Sequence, residues 1–413
     1  MIHDNLILIL GVIIGVIILE IYLKHLILSV KKQFQWIITK SDERPTLSIQ
    51  GLKKFISHGY DSELGWVRKP NTSHSEDGEY EKTKWSINEK GARTNIDFET
   101  QNSKISCYGD SFTFCRQVND NETWEHFISM QIGSNVQNFG VGNYGVDQSL
   151  IRMKREFSRN KTDIVILGVV PDSIRRNLNV WKHYFEYGNT FGFKPRFIIN
   201  KNKLKLIKNP IDDERKFFEY EKYLEKLVKD DYFYEKKFKK EIIKFPYIIS
   251  ILKNPKRNLQ LIYWIKKIDN FKKNGKNFKR IAWNPMKIIM RINLNWRIKL
   301  FNDYNSVILF KKIIEEYVNF SLEESFKPIF VFLPQKDDLL FIRKKYHFYK
   351  KFINELELID KLFVIDVTEQ LLKEPDIDRL YVEKNEYGGH LSKVGNQKVA
   401  ELILIKLKNL NLI

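Results

Sequence analysis

Two residues in this sequence have the types and settings needed to move a proton and attack a carbonyl. Ser111 lies in Gly109-Asp110-Ser111-Phe112-Thr113, and His390 lies in Gly388-Gly389-His390-Leu391-Ser392. A serine hydroxyl is a weak nucleophile until a base takes its proton, and histidine is the side chain best suited to that exchange near neutral pH. The pair permits acyl transfer, with His390 taking the hydroxyl proton and later giving it to the leaving group. Backbone N–H groups of Ser111 and of the Gly142–Asn143 turn would face the developing oxyanion. A third segment, Pro171-Asp172-Ser173-Ile174-Arg175-Arg176-Asn177, offers Ser173 as a further donor. Asp110, Arg175 and Arg176 are candidate substrate contacts, the arginines for an anionic group. Plainer roles remain open. Ser111 also suits a helix N-cap, His390 a turn beside a capping Ser392, and the two arginines also suit pairing with acidic residues.

These residues must be held by regular elements. Strands are expected at 104–108, 135–139, 163–170 (the apolar run DIVILGVV), 328–333 and 362–367. Helices are expected near 121–131, 146–159, 304–320, 337–357 and 392–409. Strands alternating with helices predict an α/β fold whose mainly parallel five-stranded sheet is covered on both faces. The segments carrying Ser111, the 142–143 turn and Ser173 each follow a strand, and ligands of open α/β sheets bind beyond the carboxyl ends of the strands. Short strands are read at 65–67 and 84–87, and a loop and hairpin over 185–210. Cys107 falls on a strand and Cys115 on the following helix, so packing rather than a disulfide is expected of them.

Gly109-Asp110-Ser111 together with His390-Leu391-Ser392-x-x-Gly395-Asn396 resembles the SGNH/GDSL hydrolases, over about 45–200 and 304–410. The resemblance implies a flavodoxin-like three-layer sandwich and an esterase or acyltransferase activity through Ser111 and His390, with no cofactor and no metal. Leu64-Gly65-Trp66, Ile87-Asn88-Glu89-x-Gly91-Ala92-Arg93, Asn138-Phe139-Gly140-Val141-Gly142 and Lys194-Pro195-Arg196-Phe197 resemble a bacterial subgroup associated with surface polysaccharide assembly or modification. Three positions depart from the family. The usual aspartate three residues before the histidine is Tyr387, so Glu386, or Glu383, would orient the imidazole, or a Ser–His dyad would operate. The oxyanion asparagine is Ser173, next to Asp172. The oxyanion glycine is Asn143, which keeps the backbone donor and tolerates left-handed geometry.

The chain has 413 residues and a formal charge of +19, with two cysteines. That excludes a disulfide framework or a four-cysteine zinc site. Residues 201–300 carry 28 basic and 11 acidic residues, so +17 of the excess falls in one segment. Residues 6–23 are apolar apart from Glu20, near the length that spans a bilayer. No basic region precedes them and no small-residue cleavage site follows, which favours a retained anchor. The organisation expected is an anchor over 1–33, a β-rich extension over 34–103, an α/β domain over 104–200 and 304–413, and a basic helical insertion over 201–303. Lys24, Lys31, Lys32 and Lys40 follow the span, and the positive-inside rule leans the body to the cytoplasmic face. Residues 251–300 carry 14 basic and 1 acidic residue among Trp264, Phe271, Phe278, Trp283 and Trp296. That mixture suits an anionic lipid surface. Nucleic acid is not an expected partner, since no nucleic-acid motif is present.

The leading expectation is a single-pass membrane esterase or O-acyltransferase acting on acyl esters of a surface glycan or a lipid-linked precursor. A non-catalytic binding subunit in polysaccharide assembly and a membrane-surface lysophospholipase or thioesterase are the alternatives. Walker A and Gly-x-Ser-x-Gly patterns are absent from the sequence.

Overall fold

A computed structural model of the protein describes residues 2–31, 34, 36–277 and 279–413. Lys32 and Phe278, which enter the charge and aromatic readings above, lie outside the described residues. The chain divides into two compact units. One comprises Met1–Leu52, Trp181–Phe193 and Phe217–Asn293. The other comprises Lys53–Val180, Lys194–Lys216 and Leu294–Ile413. The expected insertion over 201–303 is thus shared. Its residues 203–207 are the second strand of a hairpin, Arg196–Asn200 with Lys203–Ile207, that belongs to the larger unit, and its last helical turns also belong there.

In the smaller unit α1 (Ile2–Lys31) is a continuous helix long and apolar enough to cross a membrane. Its residues from Leu6 to Leu19 are exposed, whereas Ile27 and Val30 pack with Ile243, Ile251, Leu261 and Ile265. The one charge inside the apolar run is satisfied. Glu20 accepts hydrogen bonds from the backbone N–H groups of Tyr247 (2.7 Å) and Ile248 (3.0 Å), at the start of the helix Tyr247–Leu252. Those N–H groups have no partner within their own helix.

The larger unit holds the sheet. Its strands are β1 (Ser103–Gly109), β2 (Asn135–Asn138), β3 (Ile164–Val169), β4 (Lys327–Phe332) and β5 (Phe363–Asp366), all parallel, in the order β5-β4-β3-β1-β2. β3 is central and every one of its residues is buried, which is why it reads as an unbroken apolar run. On one face Ile105, Cys107, Ile164, Ile166, Ile329, Val331 and Ile365 pack against α2 (Trp124–Ile132) and α5 (Lys393–Asn409) through Trp124, Ile128, Val399 and Ile403. On the other face lie α3 (Val146–Glu156) and α4 (Tyr304–Glu324). There the Tyr317 hydroxyl donates to the Val165 carbonyl at 2.7 Å. The expected flavodoxin-like sandwich is what forms. The helix expected over 337–357 is instead two, Lys336–Lys344 and Lys350–Glu357, because Phe348 and Tyr349 turn inward against Phe301 between them. A helix at Ile49–His58 and a hairpin partner strand at Thr72–Asp77 were not expected.

The strand order fixes where a site can form. From β1 the chain passes through α2 to β2 on one side, and from β2 it returns through α3 to β3 on the other side of β1. The chain therefore diverges at the carboxyl ends of β1 and β3, the crevice position for this strand order. Ser111 follows β1 by two residues and Asp172 follows β3 by three.

Candidate functional site

The turn after β1 is shaped by Gly109. A Cβ there would lie 1.9 Å from the Gly168 carbonyl oxygen and 2.4 Å from Thr113 Oγ1. Without it, Thr113 folds under the turn and donates to the Gly168 carbonyl at 2.6 Å. Asp110, fully buried, stitches the turn to the neighbouring strand. Its carboxylate accepts from Phe112 N (2.8 Å), Val170 N (2.9 Å) and Arg176 Nη1 (3.2 Å). Asp110 therefore faces inward, as a brace of the turn. The residues that follow form turns rather than a helix, with Cys115 and Gln117 in the left-handed region at φ 56° and 68°. Ser111 caps no helix here. Cys107 and Cys115 are free and buried.

Ser111 is 7% exposed, and among the described residues its hydroxyl has no hydrogen-bond partner. The backbone N–H groups of Ser111, Gly142 and Asn143 likewise meet no acceptor among the described residues. Asn143 adopts the expected left-handed backbone, at φ 67°. A Cβ placed on Gly142 would lie 4.0 Å from Ser111 Cβ, so the 142–143 turn stands beside the serine. Ser173 opens a short helix; its side chain is fully buried, and among the described residues its Oγ has no hydrogen-bond partner.

His390 is half-buried, with its ring 5.1 Å from that of Phe112, the residue after Ser111. Its orientation comes from Gln117. Gln117 Oε1 accepts the His390 backbone N–H at 3.0 Å and faces His390 Nδ1 at 2.8 Å. A backbone N–H can only donate, so the amide atom there is oxygen. That oxygen can only accept from the ring, so Nδ1 carries the proton and Nε2 holds the lone pair. This is the tautomer a base must have. The oxygen carries no full charge, however, and cannot stabilise an imidazolium as a carboxylate would. Burial, with the Arg116 and Arg176 guanidinium groups adding to it, pushes the His390 imidazole down to about 3. Glu386, expected to orient the ring, is exposed. Gly388 and Gly389 (φ 71° and 66°) turn the chain between it and His390, and the acceptor at Nδ1 is Gln117. Glu383 accepts instead from Asn385, at 2.5 Å.

Behind the turn lies a buried charge cluster. Asp172 Oδ1 pairs with Arg175 Nε at 2.6 Å, and Asp172 Oδ2 pairs with Arg176 Nε at 3.3 Å. Arg297 Nη1 is 3.6 Å from Asp172 and also pairs with Asp337 and Asp338. Despite its burial, Asp172 is held well below the usual carboxylate range by Arg175, Arg176 and Arg297. Its negative charge is thus compensated and is not presented bare to a developing oxyanion. Arg175 and Arg176 are 2% and 6% exposed and are engaged with Asp172 and Asp110. Among the described residues no group of three His, Cys, Asp or Glu could hold a metal ion.

Two neighbours carried no signal in the sequence. Gln117 is one, since an amide six residues after a serine belongs to no catalytic pattern. Arg68 is the other. Its guanidinium lies over the rings of Trp85 (4.5 Å) and Phe114 (4.9 Å), and its Nη2 is 4.0 Å from the Gly142 Cβ position.

No protein-family model matches the sequence, and no curated protein matches it. Among solved structures the chain is similar in fold to a lipolytic protein of the G-D-S-L family from Desulfitobacterium hafniense DCB-2. The two share 11% identity, with 74% of this chain and 99% of that chain covered and a TM-score of 0.34. It is also similar to the acetyl xylan esterase AlAXEase, at 9% identity, 73% and 98% coverage and a TM-score of 0.31.

Proposed function

We propose that the protein is a serine esterase or O-acyltransferase in which Ser111 is the nucleophile and His390 the base. The observation that carries this reading is the double hydrogen bond from His390 to Gln117 Oε1, which leaves Nε2 as the proton acceptor beside the Ser111 turn. In the reaction His390 Nε2 takes the Ser111 proton as Oγ attacks the ester carbonyl. The N–H groups of Ser111, Gly142 and Asn143 receive the oxyanion, and His390 returns the proton to the leaving alkoxide. Water or a sugar hydroxyl then attacks the acyl-serine by the same route. Hydrolysis and transfer differ only in which nucleophile arrives.

The substrate class is an acyl ester of a surface glycan or its lipid-linked precursor, and α1 anchors the enzyme to the membrane. Retention of α1 is supported by its lower half. Ile27 and Val30 belong to the core of the smaller unit, and Glu20 satisfies two backbone donors there. A cleaved leader would not be built into a core.

A second reading is a non-catalytic subunit that binds acylated glycan. The amide at the place of an orienting carboxylate favours it. Labelling of the full-length protein with a fluorophosphonate probe separates the two. Stoichiometric labelling of the wild type, lost in Ser111→Ala and reduced at least about 100-fold in rate in His390→Ala, is expected of the enzyme. A folded wild type that resists the probe would leave the binding subunit.

A further inference from the structure

Arginines near this site are almost all spent on carboxylates. Arg175 and Arg176 hold Asp172 and Asp110, Arg116 holds Glu76, and Arg93 holds Asp120 at 2.8 Å. Arg68 is different. Among the described residues its guanidinium makes no hydrogen bond and no ion pair, although it is only half-exposed. One carboxylate that acts on it is that of Glu76. That carboxylate is committed to Arg116 through Oε2 and to Gln117 N through Oε1 at 2.9 Å. What holds Arg68 is aromatic. Its central carbon lies 4.5 Å from the Trp85 ring centre and 4.9 Å from that of Phe114, two rings that meet edge to face, and its five N–H donors are left uncommitted.

Its position matters as much as its freedom. The Gly142 Cβ position is 4.0 Å from Ser111 Cβ and 4.0 Å from Arg68 Nη2, so those two atoms are at most about 8 Å apart (twice 4.0 Å). Glycine at 142 leaves the space between them open. Arg68 also borders a cleft of about 550 Å³ lined by Lys69, Lys90, Arg155 and Arg159 together with the carboxylates Asp61, Glu89 and Glu156; Ser111 and Gly142 are not among its lining residues, so the face of Arg68 toward Gly142 is the one that bears on the serine. A planar guanidinium with free donors matches a carboxylate or phosphate bidentately.

We propose that Arg68 is a specificity residue that binds an anionic group, carboxylate or phosphate, carried on the acyl ester within a few bonds of the carbonyl that Ser111 attacks. This rests on the esterase reading for its substrate, though not for its anion. An acyl chain with a terminal carboxylate two carbons beyond the ester carbonyl fits the spacing.

The test uses full-length protein in detergent micelles and three aryl esters: 4-nitrophenyl hemisuccinate, its neutral counterpart 4-nitrophenyl butyrate, and 4-nitrophenyl 3-phosphonopropionate. The wild type is expected to favour an anionic ester over butyrate by about ten-fold or more in kcat/KM. In Arg68→Gln that ratio should fall to about one. Arg68→Lys, which keeps the charge and the stem on Trp85, should recover part of it and guards against a folding defect. Preference for the phosphonate or for the hemisuccinate identifies which anion the fork is shaped for. A wild-type ratio near one, or a ratio that Arg68→Gln leaves unchanged, overturns the proposal while the esterase reading stands. If no ester is turned over in a Ser111-dependent way, the esterase reading fails and calorimetry decides the anion site separately. Succinate or inorganic phosphate that binds the wild type and not Arg68→Gln upholds it; no binding to the wild type sinks it.

Discussion

Replacing Gln117 by glutamate sets a carboxylate 2.8 Å from His390 Nδ1, where an amide oxygen now lies. Both residues are half-buried, so an effective dielectric near that of a surface pair is the right scale. At about 4 Å between charge centres that gives ~4 kcal/mol in favour of the imidazolium. One pKa unit corresponds to about 1.4 kcal/mol, so the shift is roughly three units upward, the upper end for a single opposite charge. From about 3, His390 should move to about 6. The consequence shows in the pH dependence of kcat/KM for a neutral aryl ester. The wild type should stay fully unprotonated at His390 throughout pH 5–8 and show no acid limb in that range. Gln117→Glu should show one near pH 6. A base whose pKa lies closer to the working pH is also the better catalyst, so the plateau rate should rise by on the order of ten-fold. The same titration can be followed on the imidazole protons by NMR. If the wild type already shows an acid limb near 6, or the variant shows none, then Gln117 does not sit at Nδ1 in solution and the tautomer argument collapses.

Two further expectations concern buried charge. Asp172→Asn leaves Arg175, Arg176 and Arg297 without their shared counter-charge, and breaking such a buried set should cost about 3–5 kcal/mol, read from urea unfolding of the larger unit by near-UV signals. An unchanged midpoint would mean the cluster is solvated. Glu125, buried on α2 and accepting from Cys115 Sγ at 3.3 Å, has its carboxyl pushed up to about 8 by burial. The folded protein then keeps a proton that the unfolded chain releases above its ordinary value of 4.5. Stability should therefore fall as pH rises from about 4.5 to 8, and Glu125→Gln should flatten that decline, by on the order of 4 kcal/mol at pH 8. A parallel pH profile in the two proteins counts against a protonated Glu125.

What the sequence disclosed follows from what burial and turn chemistry write into it. Ile164–Val169 announces a central strand because both its faces are covered. The loops after β1 and β3 are recognisable because they pack glycine and polar residues against apolar runs. Ser111, His390 and the left-handed Asn143 belong to that readable class. Pairing does not. Arg175, Arg176 and Arg68 look alike as letters; only the fold shows two of them locked on Asp110 and Asp172 and the third resting on Trp85 and Phe114. Gln117 reaches His390 because the backbone reverses at φ 68°, a local conformation that glutamine does not signal. Thr72–Asp77 carries no strand signal because all six of its residues are polar and face water or its hairpin partner. The division of the chain was also hidden, since Trp181–Phe193 joins the smaller unit through contacts such as those of the Trp181 ring with Tyr220 and of the Tyr184 ring with Phe238.

The bond pair at Glu20 makes α1 a depth gauge. Sliding the helix Tyr247–Leu252 along α1 by a single residue is a displacement of about 1.5 Å, enough to break both bonds. In a bilayer, the exposed Ile249 and Leu252 of that helix are therefore held level with residue 20, at the lower edge of the apolar stretch, and not free to bob at the end of a tether. A truncation after residue 33 removes more than a greasy tail. It strips Ile27 and Val30 from a core and leaves two backbone donors and a set of apolar side chains facing water. Purification of this protein should keep its first helix.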